Sequence, residues 1–196
     1  MATAIAVDSK TQYPAVCNAA EVLVVHSLFA GRGGLASVAA ALEGAGVRLD
    51  LDGRSAAALG REPTKADEDW SVEYLDLRMA VKAVDSLDEA IAHINRYGSR
   101  HTDAIVTASP RAAELFMNRV DSASVYWNAS TRFADGYVYG LGAEVGISTG
   151  KLHARGPVGL DGLCTYKWKL EGSGQVLADY ASGDTRFLHE ELTDGE

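Results

Sequence analysis

Short apolar runs rich in valine alternate along the chain with stretches that have the period of a helix. Residues 21–26 are β-branched and apolar, which is typical of a strand buried on both faces of a sheet. Residues 33–43 have the alanine, leucine and valine content of a helix, and the glycines that follow would end it. The alternation continues to residue 127, with strands predicted at 47–51, 75–84, 104–107 and 123–127 and helices at 87–96 and 110–119.

Two of the predicted helices carry start signals. Ser86 can cap the first of them, and Ser109 followed by Pro110 gives the second a cap and a proline at its first position. Strands that alternate with helices predict an α/β domain with a largely parallel sheet and right-handed crossovers. Ligands of such sheets bind beyond the carboxyl ends of the strands. Residues 128–135, which follow the last predicted strand, are therefore a candidate binding loop.

The pattern changes after residue 136. Glycines are frequent from 136 to 162, and strand-like segments follow at 163–170 and 175–180. Such a pair would form an amphipathic hairpin that cannot bury its apolar side alone. We therefore predict an α/β domain over residues 1–136. The Gly-rich segment and tail over residues 137–196 would pack on another domain or subunit.

Composition narrows the possible ligands. The 196 residues are 47% hydrophobic and 23% charged, as in ordinary globular proteins. The 18 lysines and arginines are outnumbered by 27 acidic residues and form no basic stripe, so we expect no nucleic-acid ligand. No apolar run approaches the roughly 20 residues that span a membrane, and the first residues lack the basic region of a secretory signal. We expect a cytoplasmic protein without a membrane partner.

The two cysteines are Cys17 and Cys164. They are too few for a disulfide framework or a structural zinc site, and no metal is expected. A lone cysteine is more often a small buried hydrophobic residue than a nucleophile, so the residue type alone leaves the role of Cys17 open. If Pro14 opens a helix, Cys17 lies in its first turn, where the helix dipole favours a thiolate. Cys164 lies in a predicted strand, where packing is the simpler interpretation.

Five distinctive segments follow one another in order. They are 11–19 (TQYPAVCNA), 84–105, 128–136 (NASTRFADG), 140–148 (GLGAEVGIS) and 151–157 (KLHARGP). Together they resemble the motifs of γ-glutamyl phosphate reductase, also called glutamate-5-semialdehyde dehydrogenase, a family of the aldehyde dehydrogenase superfamily. Five ordered motifs are far more specific than one cysteine. The same domain occurs in bifunctional pyrroline-5-carboxylate synthetases, so the resemblance leaves both architectures open.

The resemblance implies an aldehyde-dehydrogenase-like fold and the NADPH-dependent reduction of L-glutamyl 5-phosphate to L-glutamate 5-semialdehyde, in proline biosynthesis. It makes Cys17 the nucleophile, which would hold the acyl group as a thioester. It places Glu73 where the superfamily has a glutamate that binds the nicotinamide ribose; a solvated loop glutamate is the alternative. We interpret Glu21 as a charge near a helix-to-strand junction rather than as a base. A homo-oligomer formed through the tail and a glutamate 5-kinase of the same pathway are the implied partners.

The third motif carries the candidate substrate groups. Asn128, Ser130, Thr131 and Arg132 offer an amide, two hydroxyls and a guanidinium just after a predicted strand. Arginine suits carboxylates and phosphates, and the implied substrate carries both. We expect this loop to bind substrate, and a capped turn with one solvated arginine is the alternative.

Other polar residues of the motifs allow two interpretations each. Ser99 and His101 lie in a predicted helix-to-strand loop, and His101 could donate to a phosphate or fix the loop. His153 and Arg155 could bind substrate or hold the tail. The residue types alone do not separate these roles.

The chain departs from the family pattern at its start. Family members carry a dinucleotide-binding domain before the cysteine segment, whereas this chain begins almost at that segment. The resemblance therefore predicts that most of the NADPH site is missing, and that residues 1–196 alone bind NADPH weakly and turn over poorly. The alternative is a non-catalytic module of the same family that is maintained through oligomerisation by its tail.

Overall fold

The computed structural model describes residues 1–65 and 69–188. Its helices are α1 (Ala2–Thr11), α2 (Ser27–Gly31), α3 (Gly34–Gly44), α4 (Gly53–Leu59), α5 (Leu87–Tyr97), α6 (Pro110–Arg119) and α7 (Leu177–Ala181). Its strands are β1 (Val22–His26), β2 (Arg48–Leu51), β3 (Arg78–Val84), β4 (Thr102–Ile105), β5 (Ser124–Trp127), β6 (Gly146–Ser148) and β7 (Gly156–Val158). Short 3-10 helices span Thr131–Phe133 and Asp161–Leu163.

The strands form three small sheets. β1, β3 and β2 make a parallel sheet with β3 in the centre. β4 and β5 pair in parallel as a second sheet, and β6 and β7 form an antiparallel hairpin within the Gly-rich segment. The prediction of an α/β fold with largely parallel strands and flanking helices is confirmed.

The chain divides into two compact units, Met1–Cys164 and Thr165–Glu196. The first unit thus includes the Gly-rich segment, which the sequence placed with the tail beyond residue 136. What that segment and the tail pack against stays a prediction. The last residues of the tail, 189–196, lie outside the described part of the chain, as do residues 66–68.

The main core lies between α3 and the three-stranded sheet. Leu35 and Leu42 of α3 are fully buried, and Met79 and Val81 of β3 meet them from the sheet. Burying one such side chain contributes roughly 1.5–3 kcal/mol. Gly33, at φ +81°, precedes α3 in the left-handed conformation that glycine adopts without strain.

A smaller core joins α5 and α6. Ile91, Phe116 and Val120 are buried together there. Both predicted caps are confirmed: Ser86 Oγ accepts from the Glu89 amide at 3.1 Å, and Ser109 Oγ accepts from the Ala112 amide at 3.2 Å. These caps fix where the two helices begin, and so where their apolar faces meet.

Several elements differ from the sequence prediction. The hairpin predicted for the tail is wrong, because residues 164–170 form no strand and α7 occupies part of its second arm. An alternating pattern becomes a strand only when another strand takes up its backbone hydrogen bonds, and none does so within the described tail. Cys164 is accordingly exposed rather than packed. The helices α1, α2 and α4 and the hairpin β6–β7 were not predicted from the sequence.

A buried ion pair joins α1 to β1. Lys10, in the last turn of α1, is fully buried, and its Nζ donates to Glu21 Oε2 at 2.9 Å. Beside this pair the Ala20 amide donates to the Ser9 carbonyl at 2.9 Å. These two contacts close the base of the loop that carries Cys17.

His93 is buried in α5 against two aromatic rings. Its ring lies 5.2 Å from that of Trp70 and 4.9 Å from that of Tyr97, measured between centroids. Burial, with a smaller contribution from the charge of Lys82, lowers the pKa of His93 to about 4. The imidazole is therefore neutral at pH 7.

Replacing Lys10 by methionine should lower the free energy of unfolding by about 3 kcal/mol, because Glu21 is left as a largely buried, uncompensated charge. Lys10→Met combined with Glu21→Leu should recover most of that loss. Urea denaturation followed by circular dichroism measures both. The exposed pair of Arg61 and Glu43 provides a control, since Arg61→Met should leave the urea midpoint unchanged. Equal losses in the single and double variants would contradict the role of the buried pair.

His93→Phe should make the protein less sensitive to acid. Because the folded-state pKa is depressed, the unfolded chain binds a proton that the folded chain excludes between pH 6.5 and about 4. The contribution of neutral His93 to the free energy of unfolding is therefore complete above that window. It falls by roughly 3 kcal/mol as the pH drops through the window. Urea midpoints at pH 7.5 and 4.5 should differ less in His93→Phe than in the parent protein, whereas the exposed His153→Gln should behave like the parent.

Candidate active site

A cavity of about 520 Å³ lies within the first unit. Residues of α1, β1, α5 and β4 line it. Four of the residues predicted to belong to the active site lie on its wall, namely Cys17, Glu73, Ser99 and Thr131. The fold thus brings one thiol, one carboxylate and two hydroxyls to a single cavity from four separate parts of the sequence.

Cys17 lies in a loop of turns rather than in a helix. α1 ends at Thr11, and no helix begins at Pro14, so the condition under which a helix dipole would favour the Cys17 thiolate is not met. The loop is shaped instead by a turn in which the Ala19 amide donates to the Val16 carbonyl at 3.0 Å. The thiol lies beyond the last turn of α1, outside the range over which that helix dipole acts.

The charges around Cys17 also favour the neutral thiol. Partial burial and the nearby carboxylate of Glu144 raise the pKa of Cys17 above its usual value, and Glu73 adds to that effect. The Arg132 guanidinium acts in the opposite direction but more weakly. In the described chain Cys17 is therefore protonated at neutral pH, whereas a helix beginning at Pro14 would have favoured the thiolate.

Buried hydrogen bonds attach the Cys17 loop to the third motif. Asn18 Nδ2 donates to the Ala134 carbonyl at 3.0 Å, and the Asn18 carbonyl accepts from Thr131 Oγ1 at 2.7 Å. Ser9 Oγ accepts from the Thr131 amide at 3.2 Å and lies 3.1 Å from Ser130 Oγ. Segments separated by more than 100 residues in sequence are thus held together next to the thiol.

The four candidate residues of the third motif differ in position. Asn128, at φ +56°, uses its side-chain amide to bond the Thr107 amide and carbonyl at 2.9 and 3.0 Å, which joins the ends of β4 and β5. Ser130 is buried and caps the 3-10 helix by accepting from the Arg132 amide at 3.2 Å. Thr131 lines the cavity. Arg132 is half-buried and donates from Nε to Gln12 at 2.8 Å.

His101 and Ser99 form one small cluster. Ser99 Oγ accepts from the His101 amide at 3.3 Å, and His101 Nδ1 lies 2.6 Å from Thr102 Oγ1. The His101 ring is buried, and its Nε2 has no hydrogen-bond partner among the described residues. Burial lowers the pKa of His101, so its imidazole is neutral at pH 7.

His153 and Arg155 make contacts that hold the Gly-rich segment. His153 Nε2 lies 2.9 Å from the Gly162 carbonyl oxygen. Arg155 donates to the Asp121 carboxylate at 3.0 Å, and Lys151 Nζ lies 2.7 Å from the same carboxylate. These contacts join residues 151–162 to the turn between α6 and β5.

Sequence reasoning missed several residues around the thiol. Glu144 affects the titration of Cys17, and its Oε2 accepts from the Gly136 amide at 2.8 Å. Its position as the one acid in the fourth motif was a signal that could have identified it. Ser9 and Asn18 carried no such signal, because small polar residues are common in loops and helix ends.

Within residues 1–65 and 69–188 the structure offers neither a metal site of acidic, histidine or cysteine side chains nor a membrane-spanning helix. No group of three or more histidine, cysteine, aspartate or glutamate side chains there could hold a metal ion. None of the helices in those ranges has the length and apolar character needed to cross a membrane.

Similar proteins share the sequence along almost the whole chain. The γ-glutamyl phosphate reductase of Synechococcus sp. strain RCC307 is 55% identical over 191 residues, which are 97% of this chain and 42% of that protein. The γ-glutamyl phosphate reductase of Natronomonas pharaonis is 57% identical over 198 residues, which are 100% of this chain and 45% of that protein. No protein-family model matches the chain. The chain thus spans less than half the length of these relatives.

Solved structures give the same result. The crystal structure of γ-glutamyl phosphate reductase from Thermotoga maritima matches 89% of this chain and 42% of its own chain, with a TM-score of 0.85 and 42% identity. An acetylating aldehyde dehydrogenase from Geobacillus thermoglucosidasius matches 88% of this chain and 49% of its own, at a TM-score of 0.60 and 15% identity. This second likeness shows the aldehyde-dehydrogenase-like fold alone. With its sequence and fold shared over nearly all of its length, the chain belongs to the γ-glutamyl phosphate reductase family.

Proposed function

We propose that this chain is the thiol-bearing part of an enzyme that reduces L-glutamyl 5-phosphate to L-glutamate 5-semialdehyde. The observation that carries the proposal is the position of Cys17. It lies exposed on the wall of the 520 Å³ cavity, in a loop anchored from both sides. Relatives that are 53–57% identical to the chain are named for this activity.

Cys17 is the nucleophile in this proposal. Its sulfur, as thiolate, attacks the acyl carbon of the substrate; the bond from that carbon to the phosphate oxygen breaks, and phosphate leaves with the electron pair. The acyl group is then held on Cys17 as a thioester. When bound, a nicotinamide cofactor, NADPH in this proposal, would supply the hydride that reduces this carbon. The carbon–sulfur bond then breaks, the aldehyde leaves, and the thiolate of Cys17 is restored.

The surrounding residues have binding roles in this proposal. The Arg132 guanidinium is near enough to Cys17 to lower the pKa of the thiol. In this proposal it pairs with an anionic group of the substrate. Thr131 and Ser99 offer hydroxyls on the cavity wall, and the neutral His101 beside them holds the loop of Ser99. Asn128 and Ser130 support the binding loop from behind through the contacts described above.

The proposed cofactor fits one carboxylate of this chain. Glu73 is exposed on the same cavity wall as Cys17 and is close enough to affect the thiol titration. A carboxylate in that place can accept hydrogen bonds from both hydroxyls of a ribose. The rest of the cofactor site belongs, in this proposal, to a part of the enzyme outside residues 1–196, so that this chain alone binds NADPH weakly.

The tail is proposed to form a homo-oligomer. Tyr166, Trp168 and Leu170 alternate along an extended segment and are 80–92% exposed. Three large apolar side chains on one side of a segment are typical of a surface that another subunit covers. We place the enzyme in the cytoplasm, in the same pathway as a glutamate 5-kinase that would supply its acyl phosphate.

Cys17→Ser should abolish turnover, because a serine hydroxyl is a far weaker nucleophile in this environment. The variants are made in a chimera in which this chain replaces the matching segment of the γ-glutamyl phosphate reductase of Synechococcus sp. strain RCC307. The reverse reaction is measured as NADP⁺ reduction in the presence of semialdehyde and phosphate. Cys17→Ser should fall to background, at least a thousandfold below the parent, while the matched variant Cys164→Ser keeps most of the rate. A Cys17→Ser enzyme with substantial activity would rule out the thioester and favour the non-catalytic alternative for this segment.

Glu144→Gln should make Cys17 react faster with iodoacetamide at pH 7. Removing the carboxylate lowers the pKa of the Cys17 thiol, so a larger fraction is thiolate, and the expected rise is roughly two- to fivefold. The rates are followed by peptide mapping on the 196-residue chain between pH 6 and 10.

Glu114→Gln, an exposed change on α6, is the matched control and should leave the profile unchanged. Peptide mapping also separates Cys17 from Cys164. A pH profile that does not move in Glu144→Gln would contradict the electrostatic arrangement at the thiol.

A further inference from the structure

The Arg132 side chain is contacted by a residue from the other end of the first unit. Its Nε donates to Gln12 Oε1 at 2.8 Å, although the two residues are 120 positions apart in the sequence. Gln12 is the exposed residue that follows the last turn of α1. The contact therefore runs from the end of α1 to the 3-10 helix that carries Arg132.

Buried groups already hold α1 against that 3-10 helix. Ser9 lies one turn before Gln12 on the same face of α1, and it is buried. Its Oγ lies 3.1 Å from Ser130 Oγ and accepts from the Thr131 amide at 3.2 Å. Because these bonds fix the two backbones, what the bond from Gln12 adds is the orientation of the Arg132 side chain.

The bond to Gln12 leaves one end of the guanidinium free. Nε of an arginine carries a single N–H group, and in Arg132 that group is bonded to Gln12. Nη1 and Nη2 of Arg132 have no hydrogen-bond or ion-pair partner among the described residues. Parallel N–H groups at the end of a planar guanidinium match two oxygens of a carboxylate or a phosphate. The free end of Arg132 is therefore a fork for an oxyanion.

The neutral charge of Gln12 is as important as its hydrogen bond. A glutamate in this place would accept the same N–H, but it would also cancel the charge of Arg132. Besides burial, the Glu144 and Glu73 carboxylates raise the pKa of the Cys17 thiol, and the Arg132 charge lowers it. In such acidic surroundings an anionic ligand needs an arginine whose charge is not cancelled, and a glutamine orients Arg132 without cancelling it.

We propose that Gln12 is a positioning residue for oxyanion binding: it holds Arg132 by Nε so that Nη1 and Nη2 bind two oxygens of a carboxylate or phosphate. That this oxyanion belongs to the substrate rests on the proposed function. The acyl phosphate carries both groups on one molecule. In the reverse reaction they enter on two molecules, the semialdehyde and inorganic phosphate, so the two sources can be separated.

Binding is measured first, on the 196-residue chain and without turnover. The proton–nitrogen NMR signal of Arg132 Nε is followed during titration with inorganic phosphate and, separately, with glutarate. Gln12→Leu removes the acceptor, whereas Gln12→Glu keeps an acceptor and adds a negative charge. Gln175→Leu, at the other glutamine of the chain, is the matched control. Urea midpoints are measured for all four proteins.

The parent chain and Gln175→Leu should bind at least one of the two anions at Arg132. Both Gln12 variants should bind that anion more weakly by about fivefold or more. The Nε proton should exchange faster in Gln12→Leu and stay protected in Gln12→Glu, with urea midpoints unchanged. An Arg132 signal that moves with neither anion in the parent chain would overturn the proposal, as would full affinity in either Gln12 variant.

Steady-state kinetics of the chimera described above then identify the oxyanion. In the reverse reaction Gln12→Leu should raise the KM for phosphate or for the semialdehyde by about fivefold or more and leave kcat within about twofold. The substrate whose KM rises carries the group that Arg132 binds. An effect of Gln12→Leu on kcat alone would overturn the proposal.

A double variant tests whether Gln12 acts through Arg132. Lysine has no Nε–H group and no planar fork to orient, so in an Arg132→Lys background Gln12→Leu should change neither KM. An effect that persists in that background would assign Gln12 a merely structural role and overturn the proposal. If the parent chimera does not turn over while anions still bind at Arg132, the proposed reaction is wrong and the role of Gln12 in oxyanion binding stands.

Discussion

The requirement that buried polar groups find partners holds the candidate site together. Asn18 is buried beside the thiol: its Nδ2 donates to the Ala134 carbonyl and its own carbonyl accepts from Thr131, while its Oδ1 has no hydrogen-bond partner among the described residues. Leaving such groups unpaired would cost about 1–3 kcal/mol each. The cysteine loop is therefore fixed less by its own turns than by groups from the far end of the unit. Lys10 and Glu21 close the same loop at its base, so both of its ends are anchored.

The electrostatics of the site follow from what surrounds that loop. Glu144 and Glu73 both oppose ionisation of Cys17, and Arg132 offsets them only in part. The loop also begins at the C-terminal end of α1 rather than at a helix start. A cysteine in these surroundings is kept as the neutral thiol until a cationic group changes the local charge. An exposed cysteine held in this state is protected from needless alkylation and oxidation.

Local signals in the sequence were enough for the central elements. The valine-rich runs gave β1, β2, β3, β4 and β5 close to their observed bounds, and Ser86 and Ser109 marked the starts of α5 and α6. Contacts between residues far apart in the sequence could not be predicted. The bonds from Ser9 and Asn18 to the third motif link residues more than 100 apart, and no local pattern encodes them. The prediction of a hairpin in the tail was wrong for the same reason. A strand forms only where a partner strand is available, and alternating apolar and polar residues do not show that.

The buried hydrogen bonds join the Cys17 loop to the third motif, which is synthesised much later. Their formation therefore has a fixed order during synthesis. α1 and Cys17 leave the ribosome well before Thr131 and Ala134 exist, and closing so long a loop is a slow step. Until then the cysteine loop has only its basal contacts from Lys10 and Ala20. The nascent chain thus carries its thiol on a loop held only at its base while the residues up to Ala134 are synthesised. The geometry of the candidate site is acquired only as β5 and the 3-10 helix after it fold into place.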